Sequence, residues 1–480
     1  LPASMFAQRV LTLLTLLATA WLAAAANVTK PQPGLTPDKD PFFKPPQGWE
    51  KKQPGDILRW RQIQPVAHKM KPKLETAYQL LYRTTRNNAS QPLWTVTTVF
   101  VPHNARRDSF VMVSDPTDSD GPMCQPSYQY MGGGNPNDKG PGPETLFLPY
   151  MSLGYIVSLP DVEGPKDAFG AARLEGHALL DAARATLKFS ELKLSKNAKI
   201  GGYGYSGGAL TMGWAAALQP TYASELNVAG WTFGGTPANL TTILLSASGG
   251  IFAGYTVSGM TGVFNAYPEI HDVVEQQITE EAREAMKFAR GNCSASVVQK
   301  YRFTNFLSKK YFKDPHGFLY NPKVQKVLQG LTLGVRKSET PRAPVFMYHG
   351  QFDEVVKYQT ARKAAEQWCH NGGNIQFLTY TSPVMEHLIT QSTAKPRTVF
   401  FLHDRLQGKP FHKGCRFDRD GSVLFDPKAF AADLRNDFEA ILRDSEDHIG
   451  LHDSKVKDRI LNGRSGKEYN KSAKPHSRRQ

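Results

Sequence analysis

The 480-residue chain (53.3 kDa) is 40% hydrophobic and 21% charged, with 40 Gly, 33 Pro and a formal net charge of +15. These proportions describe a globular protein with a large core and exclude a collagen, a disordered chain or a small disulfide-stapled scaffold. The charge does not signal a nucleic-acid partner: residues 455–480 hold nine Lys or Arg against two acids, so +7 sits in this stretch, and no recognition motif accompanies it.

In chain order, residues 1–26 read as a secretory signal peptide. Met5 and Arg9 precede the apolar run Val10–Ala26, which ends in small residues suited to cleavage, so no transmembrane anchor is expected in the mature chain. Residues 27–56, rich in Pro and Lys, predict an extended strap. Short β-rich runs then alternate with helical stretches, the pattern of a mostly parallel sheet covered by helices on both faces. The predicted strands are Ala77–Thr84, Leu93–Val101, Phe110–Val113, Tyr155–Leu159, Ala198–Gly202, Val228–Phe233, Val345–Tyr348 and Gln376–Tyr380. Helical crossovers are predicted at Phe169–Ser190, Ala209–Leu218 and Tyr358–Trp368. Residues 57–236 and 343–450 thus form one α/β body. The interrupting stretch 237–342 lacks a clear strand, is too long for a loop, and predicts an inserted helical cap whose Gly, Phe, Tyr and Met content suits either an acyl pocket or the cap's own core. The basic tail, 451–480, has no apolar face and predicts disorder.

A secretory route makes the four cysteines, Cys124, Cys293, Cys369 and Cys415, candidates for two disulfides, with three connectivities open. No pair is spaced for structural zinc. Sequons occur at Asn27, Asn88, Asn239, Asn292 and Asn470; Asn88, Asn239 and Asn292 fall in the body and cap and are the candidate glycosylation sites.

The sharpest motif is Gly204-Tyr205-Ser206-Gly207-Gly208, set between a predicted strand and a predicted helix. This is the GxSxG elbow in its required context, where tightness demands glycine around the serine and the helix start offers N–H groups to an oxyanion. A serine nucleophile needs a base, itself oriented by an acid, and in α/β-hydrolases the chain order is Ser, Asp or Glu, then His. Asp353 follows the strand Val345–Tyr348 and is preferred over the adjacent Glu354. Of the six histidines between Asp353 and Lys455 (His370, His387, His403, His412, His448 and His452), only His387 follows a strand and a short loop and opens a helix. His370 reads as structural, and His349 as a strand-end packing group. The loop after Phe110–Val113 carries Asp115, Asp118 and Asp120, which on their own read as a solvated acidic turn; MGGG at 131–134 lacks the usual setting of an oxyanion loop.

Several blocks together, DSDGPMCQPSY, LPDVEGPKDAFGAARLEGHALLDAARA, GYGYSGGA, GWTFGGTPANL, MYHGQFDEVV and the His387 loop, resemble the fungal secretory lipase family, over roughly Pro45 to Asp444. The resemblance implies an α/β-hydrolase fold with a helical cap, hydrolysis of carboxylic esters such as acylglycerols, and secretion. It implies Ser206 as nucleophile, Asp353 as acid and His387 as base, in agreement with the reading from the residues. It further implies an oxyanion hole from Gly207 and Asp118, and disulfides Cys124–Cys293 and Cys369–Cys415. A carboxyl facing an oxyanion must be protonated or act through its backbone N–H. The reaction expected is two-step acyl transfer on a lipid or other ester, with transient contact at a lipid interface and no metal or organic cofactor. Two rival readings use the same chain: a short-acyl esterase or deacetylase of secondary metabolites, and a catalytically inactive secreted binding protein on a hydrolase scaffold.

Overall fold

The computed structural model describes residues 35–66, 74–87, 91–133 and 146–421. The leader, Asn88, the end of the MGGG run and the basic tail lie outside the described residues. Among the described residues, ten strands form one sheet: β1 (Ile57–Ile63), β2 (Thr76–Thr85), β3 (Pro92–Val101), β4 (Ser109–Ser114), β5 (Ile156–Pro160), β6 (Lys199–Tyr205), β7 (Val228–Gly234), β8 (Val345–Gly350), β9 (Ile375–Tyr380) and β10 (Arg416–Asp420). Their order is β1-β2-β3-β5-β4-β6-β7-β8-β9-β10. The first four in this order pair antiparallel and the rest parallel.

The interior strands are apolar on both faces, as a sheet covered on each side requires. On β4, Phe110 and Met112 point into the larger core while Val111 and Val113 point into a second core on the opposite face. The first face is covered by α1 (Ala172–Lys188), α2 (Gly207–Tyr222) and, further along the chain, the helix Tyr358–His370; the second is covered by the helix His387–Leu406 and by Leu148–Ser152. Small residues let α1 and α2 approach closely: a Cβ on Gly176 would lie 3.0 Å from Trp214.

Two strands escaped the sequence reading, and both are edges. β10 is RFDRD, whose charges suit an exposed edge rather than a buried strand. β1 interleaves Arg59, Arg61 and Gln62 with its apolar residues, and Arg61 is held by Asp40 at 2.7 Å and by the ring of Phe42. The described part of the strap, 35–56, meets β1 through Asp40 and Phe42 and reaches β3, where Trp49 packs on Trp94 and the Trp94 indole donates to Phe43 O.

Between β7 and β8 the chain forms seven helices: α3 (Leu240–Ala247), α4 (Ala253–Ala266), α5 (His271–Gln277), α6 (Glu280–Arg290), α7 (Ser294–Lys300), α8 (Pro315–Leu319) and α9 (Pro322–Gly330). Caps start several of them where the sequence supplies a short polar side chain. Asn239 accepts from Thr242 N at α3, and Thr279 from Ala282 N at α6. After the insertion come α10 (Tyr358–His370) and α11 (His387–Leu406).

Candidate active site

From β4 the chain passes to β5 on one side, and from β5 it crosses back over β4 to β6 on the other. The loops leaving β4 and β6 at their carboxyl ends therefore diverge, opening the crevice where doubly wound sheets place their ligands. Asp118 lies in the first of these loops and Ser206 ends the second.

Ser206 adopts φ 54° and ψ −122°, a region that non-glycine residues enter only when the surroundings fix it. Its N–H donates to Gly234 O at 3.0 Å, and its carbonyl accepts from Ala209 and Leu210, pinning the turn from both sides. The turn is so tight that a Cβ on Gly204 would sit 2.2 Å from Gly208 O. The serine hydroxyl is thus held at the mouth of the crevice, at the start of α2, whose first-turn N–H groups are not used by the helical ladder.

His387 opens α11 and reaches back to this turn. Its Nε2 is 2.8 Å from Ser206 Oγ and its Nδ1 is 2.7 Å from Asp353 Oδ2. An ionised Asp353 can only accept, so the proton resides on Nδ1 and leaves Nε2 to accept from the serine. The ring is also fixed from behind. The Tyr205 ring packs on it at 5.0 Å, tilted by 45°, and donates its hydroxyl to His387 O, while Glu354 Oε2 accepts from His387 N at 2.9 Å. Glu354, next to Asp353, therefore anchors the His387 backbone and not its ring. Burial alone would raise the Asp353 carboxyl, but hydrogen bonds from His349 and His387 outweigh it and hold it below the usual carboxylate range. The N–H groups of Val355 and Val356 donate to its other oxygen at 3.0 and 2.8 Å.

His349 is the functional neighbour that the sequence reading undervalued. It is buried at the end of β8, as a packing group would be, yet its Nε2 lies 3.2 Å from Asp353 Oδ2 and 3.1 Å from Val356 O. Its Nδ1 has no partner among the described residues, so the proton is on Nε2, shared between those two oxygens. Nothing in the spacing HGQFD signals this; only the fold of the turn brings the ring back over its own loop.

The acidic loop after β4 is not the solvated turn that its composition suggests. Asp118 is 8% exposed and Asp120 2%. Asp118 has φ 49°, and its Oδ1 occupies the space that a Cβ on Gly207 would fill, 1.8 Å from that position. Only glycine at 207 lets the carboxyl approach the elbow so closely. Burial raises Asp118 to about 7, with His387 pulling it back down. Met131, Gly132 and Gly133 of the MGGG run instead turn against Val66 and Tyr128.

Ser206, Gly207 and Asp118 form the polar end of a cavity whose other walls are apolar. Those walls come mainly from the insertion: Leu240, Ile243 and Leu244 of α3, Met260 and Val263 of α4, and Val324 of α9 among others. The disulfide Cys124–Cys293 ties the Asp118 loop to the start of α7, and Cys369–Cys415 joins the end of α10 to the start of β10; these are the pairs the family resemblance implies. Among the described residues, no helix is long and apolar enough to cross a membrane.

The sequence profile of the secretory lipase family matches residues 143–414, and a secreted triacylglycerol lipase of Malassezia furfur is 44% identical over 84% of this chain and 83% of its own. The chain belongs to the secretory lipase family. A second relative from this family, a secreted triacylglycerol lipase of Malassezia restricta, is 42% identical and covers 91% of this chain and 93% of its own. The crystal structure of Candida antarctica lipase A in its closed state superposes with a TM-score of 0.73 at 27% identity, covering 84% of this chain and 94% of that one. This secretory lipase is accordingly a secreted carboxylic ester hydrolase with the α/β-hydrolase fold expected of it.

Proposed function

We propose that this secretory lipase hydrolyses triacylglycerols through an acyl-enzyme formed on Ser206. The observation that carries the reading is the unbroken hydrogen-bonded relay Ser206–His387–Asp353 at the polar end of a mainly apolar cavity. His387 Nε2 takes the hydroxyl proton as Oγ bonds to the ester carbonyl carbon, and Asp353 stabilises the imidazolium. The Gly207 N–H and the Asp118 carboxyl, as the neutral acid, donate to the oxyanion. Collapse of this intermediate breaks the ester C–O bond, and the His387 proton passes to the departing alkoxide. Water, deprotonated by His387, then attacks the acyl carbon, and the fatty acid leaves as the proton returns to Ser206.

The apolar walls favour a long acyl chain over acetyl, because a short chain would leave most of that surface uncovered. The insertion 237–342 serves in this reading as the cap that builds the acyl site. Support for the substrate class comes also from the relatives named above. The test is labelling with a serine-directed long-chain phosphonate and mapping of the labelled peptide, with activity measured on emulsified long-chain triacylglycerol and on a soluble acetyl ester. Label on Ser206, preference for the long chain, and a loss of about 10⁴-fold or more in Ser206→Ala are expected. Label on any other residue overturns the site; an acetyl preference overturns the substrate.

A further inference from the structure

From Leu226 to Pro268 the chain carries no Asp, Glu, Lys, Arg or His, although part of this stretch lies on the surface. Within it, α3 has a single buried residue, Ala247. Leu240, Ile243 and Leu244 face the cavity, whereas Leu245 is 54% exposed on the outside. Ile251, in the turn that follows, is 46% exposed. A second segment is stitched to this turn: Phe303 N donates to Gly250 O at 2.8 Å and Gly249 N to Thr304 O at 2.9 Å. The stitching holds Phe303 at φ 60°, a conformation that a bulky residue adopts only under constraint, and the residue is 69% exposed. Leu245, Ile251 and Phe303 thus form an apolar outer edge to the helix that walls the cavity.

The segment bearing Phe303 is one-signed in charge. Between Ala285 and Lys313 there are Lys and Arg at seven positions, Arg302, Lys309 and Lys310 among them, and no Asp or Glu. Arg302 and Lys309 are exposed and have no carboxylate partner among the described residues. We infer that this edge is a docking surface for a negatively charged lipid–water interface, into which Phe303, Leu245 and Ile251 insert while the basic segment pairs with anionic headgroups. A second copy of the chain is a poor occupant, because it would present the same uncompensated cations and the same overall charge of +15. Docking here would bring the interface to the outer face of α3, so that ester leaving it has only the width of that helix to pass before entering the cavity. The inference takes from the proposed function only that the cavity receives the acyl chain.

The test is sedimentation of the full chain with vesicles of phosphatidylcholine alone or mixed with phosphatidylglycerol, alongside hydrolysis of a soluble short-chain ester. Stronger binding to the mixed vesicles is expected. Phe303→Ser should weaken partitioning to both vesicle types by about tenfold. Arg302→Gln and Lys309→Gln together should weaken it by roughly tenfold or more on mixed vesicles, with little change on phosphatidylcholine. None of these variants should alter kcat/KM on the soluble ester. Hydrogen exchange read on the unmutated chain provides a second measurement, with vesicle-induced protection expected at 243–252 and 301–307. Unchanged partitioning of Phe303→Ser, or protection confined to other segments, would overturn the docking surface. Absence of ester hydrolysis by the unmutated chain would instead count against the proposed reaction and leave the partitioning result standing.

Discussion

In the proposed reaction, Asp118 is the residue whose protonation state matters most. Its carboxyl, raised by burial to about 7, keeps its proton on the acid side of neutrality and can then donate to an oxyanion; above that pH it becomes a negative charge facing another. The rate should therefore fall along an alkaline limb with an apparent pKa near 7. Asp118→Asn donates at every pH and is expected to retain substantial activity and lose this limb, whereas Asp118→Ala should lower kcat by about 10²–10³-fold. Steady-state pH profiles check this, and an alkaline limb that survives in Asp118→Asn would assign the donation to the backbone N–H instead. Residues of this kind divide sharply in how legible they are. Ser206, Asp353 and His387 could be read from order and strand context, because an elbow and two strand-end loops leave periodic traces. Asp118 could be named only through family resemblance, since three acids in one loop look like a solvated turn until folding buries two of them. His349 left no trace because its contact with Asp353 arises from the turn's conformation.

Among the elements, the Cys124–Cys293 bridge has a role its partner lacks. It fastens the loop carrying Asp118 to the insertion, beside a hydrogen bond from Ser294 N to Ser119 Oγ at 2.8 Å. The bridge Cys369–Cys415 lies instead at the far edge of the sheet, closing only 46 residues against 169 for the first. Replacing either pair by serine should cost on the order of 2–5 kcal/mol of stability. Only the Cys124/Cys293 variant is expected also to lower kcat at temperatures where it remains folded, since it alone frees the oxyanion loop. Thermal melts paired with ester assays distinguish the two, and equal kcat values in both variants would remove the coupling. Element existence was legible wherever strands were interior and apolar on both faces. β1 and β10 were not, because an edge strand tolerates the charges that mark a loop elsewhere.

Across the molecule, a group of carboxyls is buried behind the Asp118 loop. Burial raises Asp161 to about 7 and Asp167 and Glu175 to about 8, and pushes Asp120 and Glu163 up as well. Hydrogen bonds oppose these rises without cancelling them: Gln125 Nε2 donates to both Glu163 and Asp167 at 3.0 and 2.7 Å, and Glu175 accepts from Thr211 and Gly170 N. With folded pKa values above the unfolded ones, the native state binds more protons, so this stabilisation is full below about pH 4 and is lost as pH rises through 7 to 8. Burial lowers His177 to about 4, which acts in the opposite sense only below about 6.5; buried Lys395, also lowered, is one opposing group against several acids. The melting temperature is expected to fall by several degrees between pH 6.5 and 9, and Glu163→Gln with Asp167→Asn should flatten the slope; a melting temperature that rises over this interval contradicts the assignment.

The proposed nucleophile, acid and base hang from β6, β8 and the start of α11, whereas most of the cavity wall is spelled by one uninterrupted stretch between β7 and β8. Chemistry and selectivity are thereby written in separate passages of the chain. Substitutions in the insertion can redraw which acyl chains are accepted without retuning the proton relay, so substrate range in such a molecule is free to drift while the reaction stays fixed.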